Sequence, residues 1–431
     1  MSERPKGLND FAWEELFKKY DILEHIEKSG EFQISAAQIK EFREPRLMAK
    51  FDHTVNLPQI FADNKLSILP ITRGDYLISH FDAYHKFEES SLPITRVSLP
   101  SYIQSLDCSK IPSEAIALNC AVASGIIADF LDDDELVSTV SGRMGSGTFD
   151  FNINSTKSKS LRSVTVNNSQ IEIDAAYEGI KSLALFEAKR DLSDDFLVRQ
   201  LYYPYRVWQQ HITKPVRSVF LVYSNGIYRM YEYEFTDPEN YSSIALVKQR
   251  NYTVEDTMIT TEDIQQVLQS SDIVNEPKGI PFPQADSFER VINLCELLND
   301  QVLSHNDITE LYAFDMRQTN YYTCAARYLE LIDKSTENGA PLYTLSAYGR
   351  RVLNMGYKQR QLAFCRCILS HKAFADTLKA YFETGIMPDK AEIVQTMKRS
   401  NLYNINSDST FERRASTIKG WTNWIVGLIN D

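Results

Sequence analysis

The sequence predicts an α+β chain in which helices flank a mixed sheet, and three observations carry that expectation. Residues 171–174 (Ile-Glu-Ile-Asp) and 183–189 (Leu-Ala-Leu-Phe-Glu-Ala-Lys) alternate in character, the period of two that marks half-buried strands. Residues 216–223 and 227–235 flank Ser224-Asn225-Gly226 as the clearest hairpin in the chain, and Asn-Gly suits the type I′ turn whose twist matches that of paired strands. From Phe288 onward the spacing turns helical, interrupted by a turn and strand at residues 339–345.

A chain of 431 residues exceeds what one core supports, since single cores stop growing at about 250 to 300 residues. Residues 1–100 are expected to form a helical and β accessory domain, and residues 101–275 the sheet domain. Pro277, Pro281 and Pro283 mark a linker, after which residues 285–355 and 356–431 form two further modules.

Composition narrows the function classes. Six cysteines without CxxC spacing argue against a structural zinc and for reduced thiols. There is no run of eighteen apolar residues and no basic-then-apolar leader, so no membrane partner is expected and a cytoplasmic location is. The net charge of −12 is at first sight unfavourable for nucleic acid. From Leu311 onward, however, 16 Lys and Arg stand against 11 Asp and Glu, a net of +5 that leaves −17 on the rest. The basic end is where DNA is expected to be held.

Taken in order, residues 13–25 read as an amphipathic helix with Phe17, Ile22 and Leu23 apolar among charges, and residues 35–42 as a short helix capped by Ser35. Residues 57–75 read as loop, strand and turn. Residues 112–131 form a helix with Ser113 as N-cap and Glu114 in the first turn, where a carboxylate suits the helix dipole. The glycine-rich stretch 142–148 lacks the spacing of a phosphate loop; its expected role is a turn that brings Arg143 near a phosphate. Strands and loops over residues 152–170 lead into the central pair.

That pair is expected to be antiparallel, joined through Gly179 and Lys181-Ser182. A turn centred between Ile180 and Lys181 sets Asp174 opposite Glu187 and Glu172 opposite Lys189, with all four side chains on one face. Three carboxylates and an amine would then meet within roughly 5 to 7 Å. Such a cluster is costly unless the repulsion is offset. A hard cation such as Mg²⁺, which takes oxygen ligands, offsets it, lowers the pKa of a bound water and stabilises charge on a phosphate. Lys189 would orient that water or help deprotonate it. The structural alternative is a solvated, salt-bridged hairpin.

Asp174, twelve intervening residues and Glu187-x-Lys189 resemble the motif of the PD-(D/E)XK superfamily nucleases, which include most type II restriction endonucleases. Ile173 stands where the family has proline. The resemblance implies a PD-(D/E)XK-like mixed sheet, Asp174 and Glu187 as metal ligands, and Lys189 as the third catalytic residue. It also implies a helix before the core sheet that sometimes lends a carboxylate, a position Glu114 occupies. Glu172 is expected as a further ligand or as the partner of Lys189.

After Lys189, residues 193–203 read as a helix capped by Ser193 and ended or kinked by Pro204. Its Gln200 resembles a residue that touches the scissile region in some relatives. Three helices and a hairpin between residues 288 and 345 follow the order of a winged helix, whose third helix enters the major groove. The start of that helix offers Arg317, Gln318, Asn320 and Tyr321, among them types that read guanine and adenine edges. The last helix, residues 409–429, is expected to bury Ile418, Trp421, Trp424, Ile425 and Leu428 and to turn Arg413, Arg414 and Lys419 outward to phosphates.

These readings combine into a Mg²⁺-dependent type II restriction endonuclease that cleaves a short double-stranded DNA site. A homodimer is expected for a palindromic site, with a companion DNA methyltransferase in the same system. The alternatives are a repair or mobile-element nuclease with the same core and a non-catalytic winged-helix DNA-binding regulator.

Overall fold

The computed structural model describes residues 6–88, 92–108, 110–158, 160–255, 258–299, 301–337 and 339–430. The chain divides into two compact units, one over residues 1–106, 113–223 and 227–252, the other over residues 107–112, 224–226 and 253–431.

The first unit opens with α1 (Leu8–Lys19) and α2 (Ile22–Ser29). The single helix expected over residues 13–25 is two, because Asp21 takes a left-handed conformation at φ 48°. There follow β1 (Glu31–Ser35), α3 (Ala36–Lys40), α4 (Pro45–Met48), α5 (Gln59–Asp63), β2 (Ser67–Pro70) and β3 (Asp75–Ser79). Ser35 caps α3 as expected, its hydroxyl accepting the Gln38 amide at 3.2 Å. Strands β1, β3 and β2 form a small antiparallel sheet. Around Trp13, Phe17 and Phe61, whose rings meet edge to face, this segment has an apolar core of its own.

The main sheet has seven strands. In chain order the elements are β4 (Tyr84–Lys86), β5 (Ile94–Arg96), α6 (Glu114–Ala123), α7 (Ile126–Leu131), β6 (Val137–Gly145), β7 (Thr148–Asn154), β8 (Leu161–Asn167), β9 (Gln170–Glu178), β10 (Leu183–Lys189), β11 (Asp195–Leu197), α8 (Arg199–His211), β12 (Val216–Ser224), β13 (Ile227–Phe235) and β14 (Ile244–Thr253). The expected helix over residues 112–131 breaks into α6 and α7 at Gly125, whose φ of 79° suits a residue without a Cβ. The sheet order is β5-β14-β13-β12-β10-β9-β6. The pairs β6–β9 and β9–β10 are antiparallel, while β10 and β12 are parallel. A parallel pair needs a crossover, and α8 supplies it. Its Leu201, Tyr202, Tyr203 and Val207 enter the same core as Phe220, Val222 and Tyr231 of the sheet.

One expectation is corrected here. Residues 195–197 are a strand paired with β4, and the helix begins only at Arg199, running through Pro204 to His211. A distant backbone partner for residues 195–197 decides the first point. Apolar burial on both sides of Pro204 outweighs the roughly 3 kcal/mol that an interior proline costs. At the β12–β13 turn, Asn225 and Gly226 both have positive φ, 53° and 77°, as a type I′ turn requires.

The second unit contains α9 (Thr261–Ser270), α10 (Phe288–Leu297), β15 (Leu303–Ser304), α11 (His305–Leu311), α12 (Met316–Tyr328), β16 (Ile332–Glu337), β17 (Ala340–Leu345), α13 (Ala347–Leu353), α14 (Tyr357–Leu369), α15 (Lys372–Thr384), α16 (Lys390–Lys398) and α17 (Asp408–Gly427). Its three short strands pair antiparallel in the order β15-β17-β16. Trp421 stacks on Phe374 and meets Phe288 edge to face, and its indole donates to the Ala285 carbonyl at 2.6 Å. Among the described residues no helix is long and apolar enough to cross a membrane.

Candidate active site

The β9–β10 register is the expected one, with Leu183 opposite Glu178 and Phe186 opposite Ala175. The next pair, Asp174 and Glu187, lies just past the last paired residues. There the Asp174 carboxylate takes over from the backbone, its Oδ2 accepting the Ala188 amide at 2.8 Å. On β10, residues 187 and 189 share a face. Glu187 Oε1 accepts from the Lys189 ammonium at 2.5 Å and from Gln200 Nε2, in the first turn of α8, at 2.7 Å.

These groups line a cleft of about 270 Å³. Its acidic members are Asp52, Glu114, Glu172, Asp174 and Glu187; its basic members are Lys50, Arg143, Lys189 and Arg199, with Gln200 between. Glu187 is 8% exposed. Burial and the neighbouring Asp174 and Asp52 carboxylates oppose its ionisation more than Lys189 favours it, and its pKa is pushed up to about 7. For Lys189 burial works against the charge, but Glu187, Asp52 and Asp174 outweigh it and raise the pKa above the ordinary lysine value. Lys189 is thus held as an ammonium against Glu187.

Two further expectations change. Glu172 does not partner Lys189. It stands opposite Arg143 of β6, accepts from Arg143 Nε at 3.2 Å, and its side chain is 53% exposed. The strand on the other side of β9 supplies a nearer cation than β10 does. Arg143 accordingly lies in a strand at the cleft's edge, not in a loop. Glu114, at the first position of α6, reaches the cleft. Asp52, Lys50 and Arg199 were not singled out from sequence. Arg199 could have been, as the helical neighbour of Gln200; no local pattern marks Asp52.

Of the residues expected to contact DNA from the second unit, Arg317, Asn320, Arg413 and Lys419 are exposed. Arg317 Nε donates to the Tyr321 hydroxyl at 2.5 Å. Gln318 is committed elsewhere: its Oε1 accepts the Asp315 amide at 3.1 Å while Asp315 accepts the Gln318 amide at 2.7 Å, a capping box. Arg414 is half buried and donates to Gln284 at 2.5 Å. The expectation that it faces out to phosphates is thus corrected, since its guanidinium turns to Gln284.

Among the described residues no group of three or more His, Cys, Asp or Glu is arranged to hold a metal. Two carboxylates suffice for Mg²⁺, which keeps water and substrate oxygens in its remaining positions. The donors are all oxygens, and hydrogen bonds fall on one oxygen each of Asp174 and Glu187. Burial, and after it the neighbouring Asp174 and Asp52 carboxylates, oppose the charge on Glu187, and a hard cation bound there would favour it. The residues fit such an ion.

Three family models match the chain, each described as a domain of unknown function: DUF6996 over residues 10–78, DUF6997 over residues 79–253 and DUF7226 over residues 290–430. No curated protein and no solved structure matches.

Proposed function

We propose that the chain is a Mg²⁺-dependent DNA endonuclease of the PD-(D/E)XK type, acting as a type II restriction enzyme at a short duplex site. The observation that carries this reading is the convergence of Asp174, Glu187 and Lys189 in one cleft, in the strand register the motif demands. Asp174 and Glu187 would hold the cation. When bound, it lowers the pKa of a water and stabilises charge on the phosphate. Lys189 orients the attacking water, and Gln200 fixes Glu187. Lys50, Arg143 and Arg199 neutralise the phosphates flanking the scissile bond.

Target choice is shared with the second unit. The succession of α10, β15, α11, α12, β16 and β17 supports a winged helix, with Arg317, Asn320 and Tyr321 at the start of the reading helix and Arg413 and Lys419 as phosphate contacts. A homodimer would give each strand of a palindromic site its own active centre. A companion DNA methyltransferase would protect the host's own sites.

The test is a digest of unmethylated plasmid by the full chain with Mg²⁺, with fragment ends sequenced. Discrete fragments sharing an end sequence are expected, lost with a chelator and with Lys189→Ala. Absence of Mg²⁺-dependent scission, or undiminished cutting by Lys189→Ala, contradicts the proposal. Cuts located by DNA structure or damage would point instead to a repair or mobile-element nuclease.

A further inference from the structure

Residues 51–54 tie the segment before the first main-sheet strand to Tyr84 and to residues 191–197, and among them Asp52 lines the hydrolytic cleft. The Phe51 carbonyl accepts the Tyr84 hydroxyl at 2.8 Å, and the Asp52 carbonyl accepts the Leu197 amide at 2.9 Å. His53, 4% exposed, bonds through Nδ1 to the Asp195 carbonyl at 2.6 Å and through Nε2 to Asp191 Oδ2 at 3.1 Å. The Thr54 amide donates to Asp195 Oδ1 at 3.0 Å, and its hydroxyl also donates to that carboxylate. Nothing in this latch requires an acid at position 52, because Asp52 takes part through its backbone. The Asp52 side chain instead lines the cleft beside Glu187 and Lys189. Its Oδ1 is buried with no hydrogen-bond partner, and its charged neighbour is Lys50 at 3.7 Å. A buried, unsatisfied carboxylate oxygen costs stability, so its retention beside reactive groups calls for a role.

We propose that Asp52 is a positioning residue of the hydrolytic site: its carboxylate lines the cleft beside the Lys189 ammonium that Glu187 binds directly and adds the negative charge that keeps it there, so that the N-terminal segment is a working part of that site. The inference rests on the nuclease reading above. Its charge acts on both Lys189 and Glu187, which places it in the same electrostatic unit although it comes from another part of the chain.

The experiment compares full-length wild type, Asp52→Asn and Asp52→Glu in Mg²⁺-dependent plasmid cleavage, with thermal melts of each. Asp52→Asn removes charge at nearly constant shape. It is expected to lower kcat roughly tenfold or more, as loss of a residue that orients a reacting group does, with KM for DNA and the melt unchanged. Asp52→Glu is expected to recover part of the lost kcat. Should Asp52→Asn fail to fold, Asp52→Ser is held to the same criteria. Wild-type turnover in the neutral variants, a change in KM alone, or a kcat loss that merely tracks loss of folded protein overturns the inference while leaving the nuclease reading intact. A wild-type chain that does not cut with Mg²⁺ overturns that reading, and this inference with it.

Discussion

Glu187 is the side chain whose ionisation most directly reports the state of the cleft. Its pKa is raised from 4.5 to about 7, so between those values the folded chain keeps a proton that the unfolded chain has released. Folding stability without metal therefore falls as pH rises through this window and is flat above it as far as this group is concerned. Glu187→Gln should abolish that part of the dependence, so that the variant's stability no longer falls between pH 5 and pH 8 on account of this group. Urea denaturation of both proteins at pH 5 and 8 checks this, and a slope unchanged by the substitution contradicts it. The same group should release its proton when a cation binds. Mg²⁺ affinity measured calorimetrically should thus rise from pH 6 to pH 8 in wild type, and Asp174→Asn should weaken binding across the range. Asp174, Glu187 and Lys189 were legible in the sequence because a two-residue period and one short turn fix their relation. Asp52 was not, because its place depends on hydrogen bonds to residues far along the chain.

Elements whose partners are near in sequence were the readable ones. The β9–β10 register and the Asn225-Gly226 turn follow from local alternation and turn chemistry. The boundary before α8 did not, because β11 exists only by pairing with β4. The start of α12 separates two roles that sequence alone merges. Gln318 belongs to a capping box with Asp315, so Gln318→Ala should cost about 1 kcal/mol of stability while leaving DNA affinity unchanged. Arg317→Ala should do the reverse. Melts paired with fluorescence-anisotropy titrations on duplex DNA distinguish them, and equal affinity losses in both variants would return Gln318 to the reading face.

At the scale of the whole molecule the distribution of charge matters more than its sum. An acidic chain can grip DNA through a local basic surface, and the proposed contact draws on the net excess of Lys and Arg beyond Leu311. Arg317, Arg413 and Lys419 are exposed there. With Arg413 and Lys419 as the phosphate contacts, replacing both with alanine should make the slope of log K against log salt shallower by roughly two. An unchanged slope would remove them from the interface.

The central claim, that Asp174 and Glu187 grip a hard cation beside Lys189, is tested most directly by diffraction from crystals soaked in Mn²⁺, which shares the oxygen preference of Mg²⁺. The account predicts an anomalous peak between the Asp174 and Glu187 carboxylates that disappears in Asp174→Asn. A peak elsewhere, or none in this cleft at saturating Mn²⁺, would contradict it.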